Sequence, residues 1–282
     1  MVDHGSFLDK GKTAPAVTGF LPAGVLAFYA ELYALMRKTY DELKRLEMTL
    51  ASADPSELPI IKSDTFSFNG TARPLLIASL GEVAGVIEKY NSGLSFASML
   101  ERASKEPLYP ERIAMSILSR DADALAVISE ECRVAVEEIV FLAVNWLKPY
   151  FILMGEANRD AIDFSEWLHS RCPVCGYLPD MSLLRDSLEG KRFLHCALCE
   201  TEWVFKRVTC ASCGNEEAST LGYFAPEDDS NYRVDYCDKC RHYIKTRRLA
   251  KSADDSEYDL TVENVLTAHL DGLLIEKGYS RP

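Results

Sequence analysis

The sequence has little that would favour secretion, membrane insertion or general binding of nucleic acids. No apolar stretch follows the charges of residues 1–12, so a secretory signal is not expected. The longest uncharged apolar-rich run, 139–147, is too short to cross a bilayer. Acidic residues outnumber basic residues, 43 to 31, and the net charge is -12. We therefore expect a cytoplasmic protein without membrane insertion and without general affinity for phosphate backbones.

The composition predicts a globular chain that begins with a helical domain. Hydrophobic residues make up 48% of the 282 residues, enough for one large domain or two of ordinary size. Residues 1–20 mix glycine, proline and charge without a period, so we expect a flexible arm there. Apolar residues then recur three and four positions apart, as on one helix face. This spacing predicts, within a helical domain of residues 21–165, helices over 25–48, 74–90, 96–100, 111–119 and 122–146, with Pro149 as a kink or end.

Eight of the nine cysteines form four C-x-x-C pairs within one quarter of the chain. The pairs are Cys172 and Cys175, Cys196 and Cys199, Cys210 and Cys213, and Cys237 and Cys240. In a reducing cytosol, closely spaced cysteines bind metal more often than they form disulfides. Two pairs complete a tetrahedral shell around one ion, so these eight residues are the predicted metal ligands.

The spacing between the pairs predicts two modules in tandem. Twenty residues separate the first pair from the second, and 23 separate the third from the fourth. If neighbouring pairs share an ion, the modules are residues 166–208 and 209–250, each with a glycine (Gly176 or Gly214) after its first pair. A strand is expected after each second pair, at 203–205 and 243–245. A crossed arrangement, with the first and third pairs on one ion, is possible but loses this repeat.

The pattern is that of a zinc ribbon or a rubredoxin. The predicted fold is therefore α plus small β, with an N-terminal helical bundle, two tandem rubredoxin-like or zinc-ribbon modules, and a C-terminal tail and helix over 251–282. Each module would hold one ion, and four thiolates suit iron and zinc alike. Because a closed four-cysteine shell leaves no open coordination position, we expect no enzymatic activity at the metals.

Several residues near the cysteines could have functions of their own. His195 and His242 lie beside predicted ligands but are expected outside the completed shells, close to them or at the surface. Glu200, Glu202 and Trp203 follow Cys199 closely and, with His195, are predicted to form a solvated or partner-binding surface rather than a catalytic pair.

Two further features have simpler explanations. Cys132, the ninth cysteine, lies on an apolar helix stripe and is expected to be a small buried hydrophobe. A basic run of Lys245, Arg247, Arg248 and Lys251 could contact nucleic acid. Residues 171–251 contain 13 basic and 12 acidic residues, however, and eight thiolates around two divalent ions would make the balance negative.

With CPVCG, RFLHCALCETEW, CASCG and YCDKCRHYIK in view, the sequence resembles the FdhE family of formate dehydrogenase accessory proteins. The resemblance is strongest over residues 171–248, which contain all eight paired cysteines and the HC-x-LC-x-TEW signature. It extends loosely to a C-terminal helix ending at residues 270–274. Residues 259–264 depart from the family pattern, because they lack its run of acidic residues.

The resemblance implies a cytoplasmic protein that assists the maturation or quality control of a molybdenum- or tungsten-dependent formate dehydrogenase by binding its catalytic subunit. It also implies tandem rubredoxin-like modules in which iron is a serious candidate. Two alternatives remain: a rubredoxin-like electron carrier and a zinc ribbon that binds nucleic acid. The first predicts reversible one-electron titration, and the second predicts salt-sensitive binding to DNA or RNA.

Overall fold

The computed structural model describes residues 21–46, 57–159, 163–226, 231–250 and 258–282. The chain divides into two compact units, one containing the N-terminal helices and the other containing a β-sheet with the C-terminal helices. The arm predicted for residues 1–20 lies outside the described residues.

Six α-helices form most of the first unit, as far as the structure describes it. They are α1 (Ala23–Lys44), α2 (Arg73–Tyr90), α3 (Ala97–Lys105), α4 (Tyr109–Ser119), α5 (Ala122–Cys132) and α6 (Val136–Arg159). Their buried residues follow the predicted spacing; in α1 these include Leu32, Met36 and Tyr40. A proline in the first turn of α2 and of α4 fits the helix start, because no backbone N–H is needed there. The predicted helical N-terminal part is therefore confirmed.

The single helix predicted over 122–146 is wrong, because the chain forms two helices there. Helix α5 ends at Cys132, and Arg133 adopts a left-handed conformation with φ of 58°. The Ser129 hydroxyl donates a hydrogen bond to the carbonyl of Val134 at 2.6 Å, which closes the turn. Helix α6 then continues past Pro149 without ending. Neither glycine nor proline marks the break, so the sequence carries no strong signal for it.

Helix α6 is long and strongly apolar. By length and composition alone, its residues Val136–Asn158 would be sufficient to cross a membrane. In the structure, 72% of the most apolar 18-residue stretch of this helix is buried, as in the core helix of a bundle. Trp146 is 1% exposed, and its indole N–H donates to the carbonyl of Leu76 at 2.7 Å. The apolar composition of α6 is therefore explained by its packing in the core of the helical unit.

Six strands form one sheet in the second unit. They are β1 (Pro179–Arg185), β2 (Lys191–Cys196), β3 (Glu202–Phe205), β4 (Leu221–Phe224), β5 (Tyr232–Cys237) and β6 (Tyr243–Leu249). The order across the sheet is β3-β2-β1-β6-β5-β4. Each module contributes an antiparallel meander of three strands, and the meanders join through a parallel pairing of β1 with β6. The two modules therefore share one continuous sheet.

The C-terminal residues form two short helices, α7 (Leu260–Leu266) and α8 (Ala268–Glu276). Asp259 caps α7 by accepting a hydrogen bond from the amide of Val262. Leu260 of α7 packs in a cluster with β1 residues, and Leu270 and Leu274 of α8 pack in another with Val234 of β5. The two helices thus bury apolar surface of both meanders.

Candidate metal centres

The C-x-x-C pairs have a common backbone geometry. The residue after each pair has a left-handed backbone conformation, with φ between 57° and 70°. These residues are Gly176, Glu200, Gly214 and Arg241. In the last three, the amide donates to the carbonyl of the first cysteine of the pair, at 3.2, 3.0 and 2.9 Å respectively. This tight turn suits glycine best, and the second pair of each module adopts it with a larger residue.

The sulfur atoms gather into two groups of four. Cys172, Cys175, Cys196 and Cys199 form the first centre, and Cys210, Cys213, Cys237 and Cys240 form the second centre. Within each centre all sulfur atoms lie within 4.8 Å of one another, and all are free thiols. The grouping is the one expected of tandem modules and differs from the crossed arrangement. Two four-cysteine groups that could hold metal ions are therefore present.

The spacing of the sulfur atoms fits a tetrahedral ion. With metal–sulfur bonds of about 2.3 Å, tetrahedral geometry places two ligand sulfurs about 3.8 Å apart. The measured distances are 3.4 Å for Cys172 to Cys199, 3.6 Å for Cys210 to Cys240 and 4.0 Å for Cys213 to Cys237. A disulfide would instead need a distance of about 2.05 Å. These distances fit metal ligation and exclude disulfide bonds in this conformation.

The first centre is fully buried. Its four cysteines are between 0 and 2% exposed. The amides of Leu198 and Cys199 point at the sulfur of Cys196, at 3.4 and 3.5 Å, and the thiol of Cys199 donates to the Thr201 hydroxyl at 3.2 Å. Amide contacts stabilise a thiolate, so the environment of Cys196 suits an anionic sulfur closed to solvent.

The second centre reaches the surface. Cys213 is exposed and Cys240 is half-buried, whereas Cys210 and Cys237 are buried. Burial raises the pKa of the Cys210 thiol, which disfavours its anion unless a cation is nearby. Burial also opposes ionisation of Cys237, but the amides of Cys240 and Lys239 and the side chain of Asn215 outweigh it and lower the pKa of that thiol. A bound cation would supply the charge that a full set of thiolates requires.

Neither histidine belongs to a cysteine group. His195, directly before Cys196, is 5% exposed, and its Nδ1 lies 2.8 Å from Asp180 Oδ1. The Nδ1 of His242 lies 2.8 Å from the hydroxyl of Ser212, which stands between the cysteines of the third pair. Both side chains thus hold positions beside the sulfur shells. Both histidines lie outside the sulfur shells, as expected from the sequence. His195, however, is too buried to contact a partner.

The predicted surface of Glu200, Glu202 and Trp203 is wrong, because Glu200 and Trp203 are buried and Glu202 is largely covered. Trp203 is 1% exposed, and its indole N–H donates to the carbonyl of His169 at 2.9 Å. Glu200, 8% exposed, accepts a hydrogen bond from Thr261 at 2.7 Å. Glu202 accepts one from Arg185 at 2.7 Å. The chain that covers them lies up to 61 residues away, so no local pattern could indicate their burial.

A buried ionic network ties the C-terminal helices to both meanders. Lys245 of β6, with a fully buried side chain, donates to Asp271 Oδ2 at 2.8 Å and to the carbonyl of Asn264 at 2.6 Å. Burial lowers the pKa of Lys245 to about 8. The Asn264 amide donates in turn to Asp180 Oδ2, and Asp180 also holds His195 beside the first centre. This network was not predicted from the sequence.

Arg192 of β2 connects the first meander to the second centre. It is 3% exposed, and its Nη1 donates at 3.0 Å to the carbonyl of Thr209, the residue before Cys210. Its Nε donates to the Ser182 hydroxyl at 2.9 Å, and its Nη2 lies 3.6 Å from Asp235 Oδ2. A single guanidinium thus links β1, β5 and the start of the third cysteine pair.

The described basic residues of the run, all on β6, are paired with acidic side chains. Lys245 is paired with Asp271, Arg247 with Glu263 at 3.5 Å, and Arg248 with Asp186 at 3.0 Å. Lys251 lies outside the described residues. Cys132, as expected, is buried, with its sulfur 2.9 Å from the hydroxyl of Tyr109.

Comparison with known proteins identifies relatives that are named FdhE. The model of the FdhE central domain matches residues 171–207, which include the whole first centre. The chain is 30% identical over 177 residues to a protein FdhE homologue of Aquifex aeolicus, covering 61% of each. It is 27% identical over 209 residues to protein FdhE of Escherichia coli K12, covering 73% of this chain and 62% of that protein. The chain thus aligns with just over three fifths of these relatives.

A solved structure shares the fold. The crystal structure of the FdhE protein from Pseudomonas aeruginosa matches with a TM-score of 0.55 at 21% identity. The match covers 91% of this chain and 85% of that one. The similarity extends well beyond residues 171–207.

Proposed function

We propose that this chain, a member of the FdhE family, is a non-enzymatic accessory protein that assists the maturation or quality control of formate dehydrogenase and binds its catalytic subunit in the cytoplasm. The match of residues 171–207 to the FdhE central domain is the observation that carries this proposal. The eight paired cysteines would hold two ions of iron or zinc. The role of these ions would be to build the sheet unit, since small four-cysteine modules gain most of their folding free energy from the metal.

The geometry of the sheet unit supports a structural role for the metals. In each centre four cysteines are already available, so a tetrahedral ion would keep no position for substrate or water. The second cysteine pair of each module begins at the end of a central strand, at Cys196 in β2 and at Cys237 in β5. Ligation at these strand ends would hold the two meanders in place and present a rigid surface to a partner.

Association with the enzyme can be tested directly. The chain is co-expressed with a formate dehydrogenase catalytic subunit, and the complex is captured through a tag on either protein. We expect co-purification, and we expect lower formate dehydrogenase activity in cells that lack the chain. The double variant Cys172→Ser/Cys175→Ser should lose both effects, whereas Cys132→Ser, which changes a cysteine outside both centres, should retain them. The proposal would be refuted if the two proteins did not associate and the loss of the chain did not change formate dehydrogenase activity.

The partial exposure of the second centre favours one other candidate function. Cys213 is exposed and Cys240 half-buried, so an electron could reach an iron ion there from a docked partner. A rubredoxin-like carrier requires iron and a reversible one-electron titration. Anaerobic purification followed by redox titration separates the two functions, because a colourless protein that contains only zinc would eliminate the carrier.

A further inference from the structure

The helical unit contains an apolar groove that none of the described side chains fills. It has a volume of about 580 Å³ and lies between the start of α1, the end of α2 and the start of α6. Its walls are mainly apolar and include Val25, Phe28, Ile87, Leu94 and Phe141. The volume lies within the range of about 300–1,000 Å³ found for ligand sites in proteins.

The aromatic rings of the groove are ordered but only partly covered. Phe28 packs edge-on against Tyr90 with ring centroids 5.4 Å apart and stacks on Phe141 at 6.1 Å. Tyr90 remains 40% exposed, and its hydroxyl donates to Glu31 at 3.0 Å. Phe28 and Phe141 are half-buried. Partly exposed rings around a concave surface are typical of sites that receive an apolar side chain.

The charge at the groove is negative. Among the residues that the structure describes, the charged ones that line it are Glu137 and Glu138, both in the first turn of α6. Glu138 accepts a hydrogen bond from the amide of Ala135 at 3.2 Å, and Glu137 is exposed. Lys89, beside Tyr90 in the sequence, is paired with Glu31 at 2.7 Å and does not offset them. An occupant with a cationic group next to its apolar side chains would therefore complement the groove.

We propose that this groove binds an amphipathic, basic peptide segment of a partner protein, with leucine-like side chains in the apolar cavity and a lysine or arginine at the Glu137 and Glu138 rim. Helical segments commonly bind in this way, with an apolar face laid into a hydrophobic groove. The groove is formed by the helical unit alone, so this proposal does not depend on the metal centres or on the function proposed above.

Gly24 offers a way to block the groove without disturbing the fold. It lies in the first turn of α1 and lines the groove, and a Cβ added there would meet no atom of the described residues within 4 Å. The substitution Gly24→Leu should thus place a side chain in the cavity while keeping the helix. Gly85→Leu is a matched control, because Gly85 is also helical, has open space around it and does not line the groove.

The test uses the full chain and a fluorescent peptide of about 12 residues, or three helical turns, with leucine on one face and lysine on the other. Fluorescence anisotropy should show saturable binding to the wild type. Gly24→Leu should weaken this binding at least about tenfold, or about 1.4 kcal/mol, and Gly85→Leu should not. Glu137→Gln should weaken binding of the lysine peptide but not of a version with serine in place of lysine.

Three results would overturn the proposal. The first is binding of the lysine peptide that Gly24→Leu leaves unchanged. The second is equal binding of a peptide with glutamate in place of lysine. The third is binding that begins only when residues 1–20 are deleted, since the occupant would then be the chain's own N-terminal segment. Circular dichroism and the thermal midpoint of each variant verify that the variants are folded.

Discussion

Substituting Arg192 by methionine should weaken metal binding at the second centre much more than at the first. The side chain is buried and donates two hydrogen bonds, to the carbonyl of Thr209 and to the hydroxyl of Ser182. Hydrogen bonds from a charged group contribute about 1.5–3 kcal/mol each, so the loss should be about 3 kcal/mol or more. Because small metal modules fold as they bind the ion, much of this loss should appear as weaker affinity.

A loss of about 3 kcal/mol corresponds to metal binding weaker by a factor on the order of 100. Chelator competition measures the affinity, and mass spectrometry after thiol alkylation identifies which cysteines have lost their ion. We expect Cys210 and Cys213 to be alkylated in Arg192→Met at chelator concentrations that leave the wild type intact. Arg207→Met is the control, because it removes the same charge from an exposed position near the second centre. Equal metal release by Arg192→Met and the wild type would refute the anchoring role of Arg192.

Three more predictions follow from the packing of the sheet unit. In the wild type, a chelator should remove the ion of the second centre before that of the first, because Cys213 is exposed and the first centre is buried. Mass spectrometry after alkylation measures the order of release. Simultaneous release from both centres would contradict this prediction. Trp203→Ala should lower the free energy of unfolding by about 3–5 kcal/mol in chemical denaturation, since it leaves a cavity at a buried site. An unchanged free energy of unfolding would indicate that Trp203 lies at the surface, as the sequence suggested. The folded pKa of Lys245, about 8, lies below its ordinary value of 10.5, so the unfolded chain binds more protons between these pH values. The stability of the wild type relative to Lys245→Met should therefore increase as the pH rises through that range, and a pH-independent difference would contradict the burial of Lys245.

The features predicted correctly from the sequence are those with local signals. The helix spacing of α1 depends only on residues within a few turns of one another, and so does the pairing of cysteines in C-x-x-C. The assignment of pairs to centres also succeeded, because the connections of 20 and 23 residues match each other. Gly176 and Gly214 mark the same left-handed turn in both modules. A repeated local signal thus identified the candidate metal centres and their number.

Most features that the sequence did not indicate depend on distant contacts. The parallel pairing of β1 with β6 joins strands that lie about 60 residues apart and merges the two modules into one sheet. Glu200 and Trp203 read locally as polar and interfacial, but their environment comes from Thr261 and from the carbonyl of His169. The break after Cys132 relies on Arg133 in a conformation that glycine or asparagine would have signalled. The first two features come from tertiary contacts that override the local pattern, whereas the break comes from a local turn that its residue types do not signal.

The most direct test of the two centres is the metal content of the full chain purified without oxygen. Elemental analysis should find two tetrahedrally bound ions per chain, iron, zinc or one of each, with all eight paired cysteines protected from alkylation and Cys132 the one cysteine outside the metal shells. The absorption spectrum would then distinguish iron from zinc. A chain that folds with fewer than two ions, or in which the paired cysteines form disulfides, would contradict the account.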